Sequence, residues 1–398
     1  MAKPVKPAEV NAANIVEQIL HNAVDQRASD VHFQSERESL TVRFRIDGVL
    51  YVVQDIPQYL RDGVISIIKV SAQMDIVEHQ LPQDGRLEFT HKGRLYDIRV
   101  SSIPTIHGEA LVLRIFNRES NILKIEELGF ESDQIEITKQ IIANPYGMIL
   151  ITGPSGSGKT TFLYSILNAL NKPERNIISI EDPVEFQLAG VRQVQISEKK
   201  GMTFAKAIRE MLRQDPNIVM LGEIRDSDTA EMAFQAALTG ILVLSTFHTF
   251  DVAGLIVRFL ELGIPRSVIS HALTSVISTR LVRKICSACS TNYEPTDLEK
   301  KFCGIKRDSF LLQKGEGCDA CRDTGYLGRT GIFEIVYFDD EIQTRILEEI
   351  SPSAMRELFK KKTEKTLYNA VLQKISDGVT TVEEAIRVVG MPLEARKG

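Results

Sequence analysis

Residues 148–160 read MILITGPSGSGKT, an apolar run that stops at Gly153 and passes through a glycine-rich turn into a helical pattern. Residues 153–160 satisfy G-x-x-x-x-G-K-[ST] at every fixed position. Glycines at 153, 156 and 158 let backbone amides converge on phosphate oxygens where a β-carbon would obstruct them. Lys159 would reach the β- and γ-phosphates of a nucleotide, and the Thr160 hydroxyl would ligate Mg²⁺. A plain glycine-rich turn between strand and helix is the competing reading.

Further apolar runs at 176–180, 217–221 and 241–245 alternate with helical stretches at 160–170, 204–213 and 228–239. Strand and helix in alternation predict an α/β unit, a parallel sheet with helices on both faces. In such sheets ligands bind beyond the carboxyl ends of the strands. Two runs end there on acids: 217–221 leads into Gly222 and Glu223, and 177–180 leads into Glu181, Asp182 and Glu185. A carboxylate so placed can hold Mg²⁺ or orient the attacking water. Either segment could also be a solvated loop, but both follow core-like strands after a phosphate loop, which favours the site. His248, in STFHT beyond the strand near 242–245, is either a structural histidine or a partner for the γ-phosphate or its water.

Upstream, Ile15, Val16, Ile19, Leu20, Ala23 and Val24 recur at helical spacing, and the first ten residues read as a loose tail. From Leu40 the period becomes two, and Asp47-Gly48 turns the chain into Val49–Val53, a hairpin signal. Helical spacing returns near 60–74, and strands are predicted at 86–89, 95–100 and 110–116, giving an α+β domain over 1–125. After Phe338 the chain reads as helices only: Ser351-Pro352 starts one, Gly378 ends another, and Thr381 with Glu384 forms a capping box.

The 398 residues predict two or three domains. No apolar run is long enough to span a membrane and the start lacks a signal peptide, so a cytoplasmic protein is expected. A net charge of -5 argues against a nucleic-acid binder that relies on bulk basicity. Four of the five cysteines form two C-x-x-C pairs, Cys286 with Cys289 and Cys318 with Cys321. Two such knuckles would close a tetrahedral structural Zn²⁺ site; redox dithiols are the alternative. Cys303 reads as an ordinary free thiol.

With these residues assembled, the chain resembles the secretion-superfamily ATPases, the hexameric motors of type II secretion and type IV pilus assembly. The resemblance runs from about residue 12 to 390 and rests on GPSGSGKT, EDPVE, VMLGEIRD, the HT at 248–249, the four cysteines and TGYLGRTGIFEI. It implies a RecA-like core over 126–284, a PAS-like N-terminal domain, an inserted zinc module over 285–335 and a C-terminal helical segment over 336–398. It implies ATP held by Gly153, Pro154, Ser155, Gly156, Ser157, Gly158, Lys159, Thr160 and Thr161, with Thr160 and Glu223 near magnesium. It makes Glu185 the general base and brings Arg99, Arg114, Arg209 and Arg213 to the phosphates, with His248 beside them.

The resemblance further implies a homo-hexamer docked on an inner-membrane platform protein, with no nucleic-acid partner. The cysteine module favours assembly over retraction. A nucleic-acid translocase and a non-enzymatic nucleotide-gated scaffold are the rival classes. The chain differs from the family pattern at Thr239-Gly240-Ile241, where the family has TGH, and at Phe250 before Asp251. It starts close to the hairpin domain, so a short family member, or one trimmed of a further N-terminal docking domain, is expected.

Overall fold

Apolar residues on the strand that enters the phosphate loop point alternately to two cores, and that alternation organises the larger part of the molecule. The structure, a computed structural model, describes residues 11–117, 122–305, 310–348, 351–363 and 365–391, and every count below refers to these; the tail expected over the first ten residues lies outside them. The chain divides into two compact units, 1–121 and 122–398.

The first unit runs α1 (Ala12–Asp25), β1 (Asp30–Ser35), β2 (Ser39–Ile46), β3 (Val49–Pro57), α2 (Gln58–Ser71), β4 (Gln83–His91), β5 (Arg94–Thr105) and β6 (Gly108–Asn117). Its strands form one sheet in the order β3-β2-β1-β6-β5-β4. Val31, Phe33, Val42, Phe44, Ile98 and Leu113 point to one face, where they bury against Val16, Ile19, Val64 and Ile68 of the two helices. On the opposite face Arg99 pairs across the ladder with Arg114, and Arg114 with Asp30. The central strand β1 was not anticipated: its DVHFQS alternates correctly, but the run is short and its outward positions are polar.

The second unit runs α3 (Ser132–Ile142), β7 (Gly147–Thr152), α4 (Lys159–Leu170), β8 (Ile177–Glu181), β9 (Arg192–Gln195), α5 (Phe204–Met211), β10 (Ile218–Leu221), α6 (Ser227–Leu238) and β11 (Leu242–Phe247). It continues through α7 (Val252–Glu261), α8 (Arg266–Ala272), β12 (Leu273–Ile285), β13 (Ser290–Tyr293), α9 (Asp297–Cys303), β14 (Leu312–Gly315) and β15 (Tyr326–Tyr337). Helices α10 (Asp340–Leu347), α11 (Pro352–Lys362), α12 (Leu367–Ser376) and α13 (Val382–Val389) complete it.

The main sheet has the order β15-β12-β7-β11-β10-β8-β9. All neighbours are parallel except β15, which returns antiparallel to β12. Met148 and Leu150 face a core shared with α5 to α8, α10 and α11, while Ile149 and Ile151 face α3 and α4. A parallel sheet covered on both faces explains why its strands read as continuous apolar runs. The C-terminal tail is helical as expected. Thr381 accepts the Glu384 amide, but the Glu384 carboxylate turns away from the cap to Arg283 and Arg387, so the box is closed from one side only.

Candidate functional site

Strand β7 delivers the chain to Gly153 at φ +154°, where an added Cβ would lie 2.6 Å from the Thr279 carbonyl oxygen of β12. The loop therefore presses directly on the neighbouring backbone, and only glycine fits. Gly158, at φ +91°, is the N-cap of α4 and supplies no side-chain cap. The first amides of α4 are left for an acceptor from outside the helix, the arrangement that favours phosphate. Ser157 Oγ is buried without a hydrogen-bond partner among the described residues. An uncapped helix end, a cradle a β-carbon would fill and an orphaned hydroxyl all fit a bound phosphate chain.

Lys159 folds back over the loop. Its Nζ donates to the carbonyls of Gly153 at 2.9 Å and Pro154 at 3.0 Å, and lies 3.4 Å from His248 Nδ1. Burial pulls its pKa down to about 8, with Glu223 opposing and Arg280 reinforcing the shift. His248, just past β11, is 3.3 Å from Glu223 through Nε2. Its pKa is lowered by burial first and then by the Lys159 charge. Glu223, two residues past β10, also accepts from Arg225.

Glu181 ends β8 in full burial, and Glu185 follows four residues later. Lys159, Thr160, Glu181, Glu185, Glu223 and His248 all line one cavity of about 210 Å³. Ser155 and Gly156 line it as well. Pro154, Ser157, Gly158 and Thr161 sit in the loop or at the start of α4 without lining it.

Of the four expected arginines, Arg209 and Arg213 belong to the second unit and Arg99 and Arg114 to the first. Arg209 and Arg213 are exposed on and just after α5, Arg213 3.6 Å from Glu210, and neither lines the cavity. In the first unit Arg114 Nε donates to Asp30 at 2.8 Å, and the Arg99 guanidinium lies 4.3 Å from the centre of the Phe116 ring.

Several contributors were not anticipated. Tyr164 reaches the cavity from α4, and β12 props the loop from beneath: Thr279 Oγ1 donates to the Ser157 carbonyl at 3.1 Å, and Ser278 meets Thr152 at 2.9 Å. Buried Arg280 donates to the carbonyls of Thr279 and Phe250, joining β12 to the segment that carries His248. The serines, threonine and arginine interrupt the apolar run of β12, which hid this strand.

The four cysteines form a second site. Cys286 follows β12 and Cys321 precedes β15, its antiparallel neighbour, so both knuckles arrive at the same end of one strand pair. Their Sγ atoms lie within 4.8 Å of one another, with separations of 3.9, 3.7 and 3.7 Å for 286–318, 289–321 and 318–321. A tetrahedron with metal–sulfur bonds of about 2.3 Å has edges near 3.8 Å, so the donor set fits zinc. The thiols titrate together: against burial, the amides of Cys318 and Gly325 bring Cys321 down to about 7, while burial and the neighbouring thiols push Cys289 up to about 12.

Comparison with known proteins identifies the family. Residues 8–387 match the family described as type II/IV secretion system protein. The chain is 42% identical over 375 residues to the type II secretion system protein E of Pseudomonas aeruginosa, covering 94% of this chain and 74% of that one. It is 41% identical over 386 residues to the type IV pilus assembly ATPase PilB of Thermus thermophilus, covering 96% of this chain but 43% of the relative. Among solved structures the ATPase DotB of Legionella pneumophila superposes with a TM-score of 0.69 at 22% identity, 96% of each chain being covered, a likeness of fold. By its extent and its motifs, the chain belongs to the type II/IV secretion system protein family.

Proposed function

We propose that the chain is an ATP-hydrolysing motor that drives assembly of a type IV pilus or a type II secretion pseudopilus. The observation that carries this reading is the convergence of Lys159, Glu185, Glu223 and His248 on one cavity at the uncapped end of α4. Lys159 and the loop from Gly153 to Thr161, through its backbone amides other than at Pro154, which has no N–H, bind the phosphates of ATP. Thr160 and Glu223 would hold Mg²⁺, which supplies counter-charge to the phosphate oxygens. Glu185 accepts the proton of the attacking water. Arg99, Arg114, Arg209 and Arg213 compensate charge that develops on the transferred phosphoryl group; such arginines contribute about 10³ to 10⁵ in rate in other phosphoryl-transfer enzymes.

In this reading the motor works as a ring of six copies in the cytoplasm, against an inner-membrane platform protein. No helix among the described residues is long and apolar enough to cross a membrane, in keeping with attachment through a partner. The four cysteines hold structural zinc, and within the resembling family that module accompanies assembly rather than retraction. Phosphate release by the purified chain tests the core of the proposal. It should require ATP and magnesium and be lost in Lys159→Ala and Glu223→Gln; undiminished turnover in both variants would overturn it.

A further inference from the structure

The loop that carries Glu185 is held from beneath by groups to which the hydrolytic reading gives no role. Tyr164 lies on α4, five residues beyond Lys159, and is 1% exposed. Its hydroxyl donates to the Glu181 carboxylate and accepts the backbone amides of Glu185 at 3.2 Å and Phe186 at 3.3 Å. A phenolic hydroxyl has one proton to give and two lone pairs, and all three are used here. The ring meets Phe186 edge-on at 5.3 Å.

Glu181 is fixed in turn by Ser179 Oγ at 2.6 Å and Gln193 Nε2 at 3.3 Å. Gln193 closes the far side of the loop by donating to the Phe186 carbonyl at 2.8 Å and accepting the Leu188 amide at 2.7 Å. The segment 182–188 is thus tied to the phosphate-loop helix through one oxygen atom and to the edge strand β9 through the side-chain amides of Gln193 and Gln195. Burial, with the Glu181 carboxylate, pushes the Tyr164 pKa well above the ordinary tyrosine range, so the hydroxyl remains a neutral donor.

We infer that Tyr164, anchored by Glu181, is a positioning residue that holds Glu185 in register with the phosphate loop. The inference rests on the reading of Glu185 as general base. Both the loop amides and Lys159 move with α4, so a bond from α4 to the Glu185 backbone fixes base and phosphate in one frame. A misplacement of about 1 Å in such a site costs about 10²-fold in rate. Glu181 acts here as a buried acceptor and not as a second base.

The test is a set of turnover measurements on the full chain, expressed per nucleotide-binding site as counted by titration with labelled ATP, so that loss of folded protein does not enter. Tyr164→Phe, which keeps the ring contact, should lower kcat by about tenfold to a hundredfold while KM for ATP moves less than about threefold. In single-turnover assays Tyr164→Phe should add nothing further in a Glu185→Gln background, the signature of action through that carboxylate.

Normal kcat in Tyr164→Phe, an equal loss in kcat and ATP binding, or full additivity with Glu185→Gln would each overturn the inference. If Glu185→Gln alone turns over normally, it is the base assignment that fails, a separate result.

Discussion

His248 Nε2 stands 3.3 Å from Glu223 Oε2, while the other nitrogen of the ring stands 3.4 Å from Lys159 Nζ. Lysine can only donate, so Nδ1 is the acceptor and Nε2 carries the proton toward Glu223. Burial and the Lys159 charge both hold His248 below the ordinary histidine range, in keeping with a neutral ring. Turnover should therefore show no step near pH 6.5, the ordinary histidine value. A limb at that pH which disappears in His248→Gln would contradict the neutral ring.

Burial, reinforced by the Arg280 charge and opposed by Glu223, brings the Lys159 pKa down to about 8. A phosphate chain favours the charged form and raises that pKa. Binding of ATP should then take up a proton near and above pH 8, and affinity should fall with rising pH by up to about tenfold per unit. Calorimetric titration in two buffers of different ionisation enthalpy reads the proton count. Lys159→Arg, always charged, should lose the uptake.

The part of the site made of short motifs was legible in the sequence. Gly153, Glu223 and His248 each follow an apolar run and Lys159 opens the helix after the glycine-rich turn, and β7, β8, β10 and β11 are buried on both faces. What escaped was polar structure inside the core. Strand β12 carries buried Ser275, Ser278, Thr279 and Arg280, of which Ser278 meets Thr152 of β7, Thr279 the Ser157 carbonyl and Arg280 the carbonyls of Thr279 and Phe250, so its hydrophobic pattern is broken. Tyr164 reads as one more apolar position of α4, and only the fold brings Glu181 to its hydroxyl. The arginines of the first unit carry no local signal at all, because alternation along a strand gives a face but not a function.

The four-cysteine cluster predicts one zinc per chain by elemental analysis. Phe302 and Leu312 of the module pack with Val371, Ile375 and Val382 of α12 and α13, so metal loss should loosen these helices as well. Structural zinc sites contribute on the order of 10 kcal/mol. Chelation should open residues 286–321 to limited proteolysis; a metal-free chain that resists the protease as before would refute the assignment.

Glu384 is fully buried and accepts from Arg283 Nε and Nη2, both at 2.9 Å, and from Arg387 Nε at 2.7 Å. Burial alone would raise its pKa, but the Arg387 hydrogen bond, the Arg283 amide and both guanidinium charges bring it below the usual glutamate value. A lowered folded pKa gives stability that is present above the unfolded value of about 4.3 and is lost as pH falls through the folded one. Glu384→Gln leaves Arg283 short of its counter-charge and should cost about 3–5 kcal/mol at pH 7. Denaturant unfolding should show that difference shrinking in acid.

Glu185 bears most of the weight, since the cavity, the tyrosine beneath it and the phosphate loop all serve hydrolysis only if this carboxylate takes the proton. The direct measurement is phosphate release by Glu185→Gln alongside its ATP affinity. Affinity should stay near that of the parent while turnover falls by about 10² to 10⁴. Turnover within a few-fold of the parent, with ATP bound equally well, would contradict it.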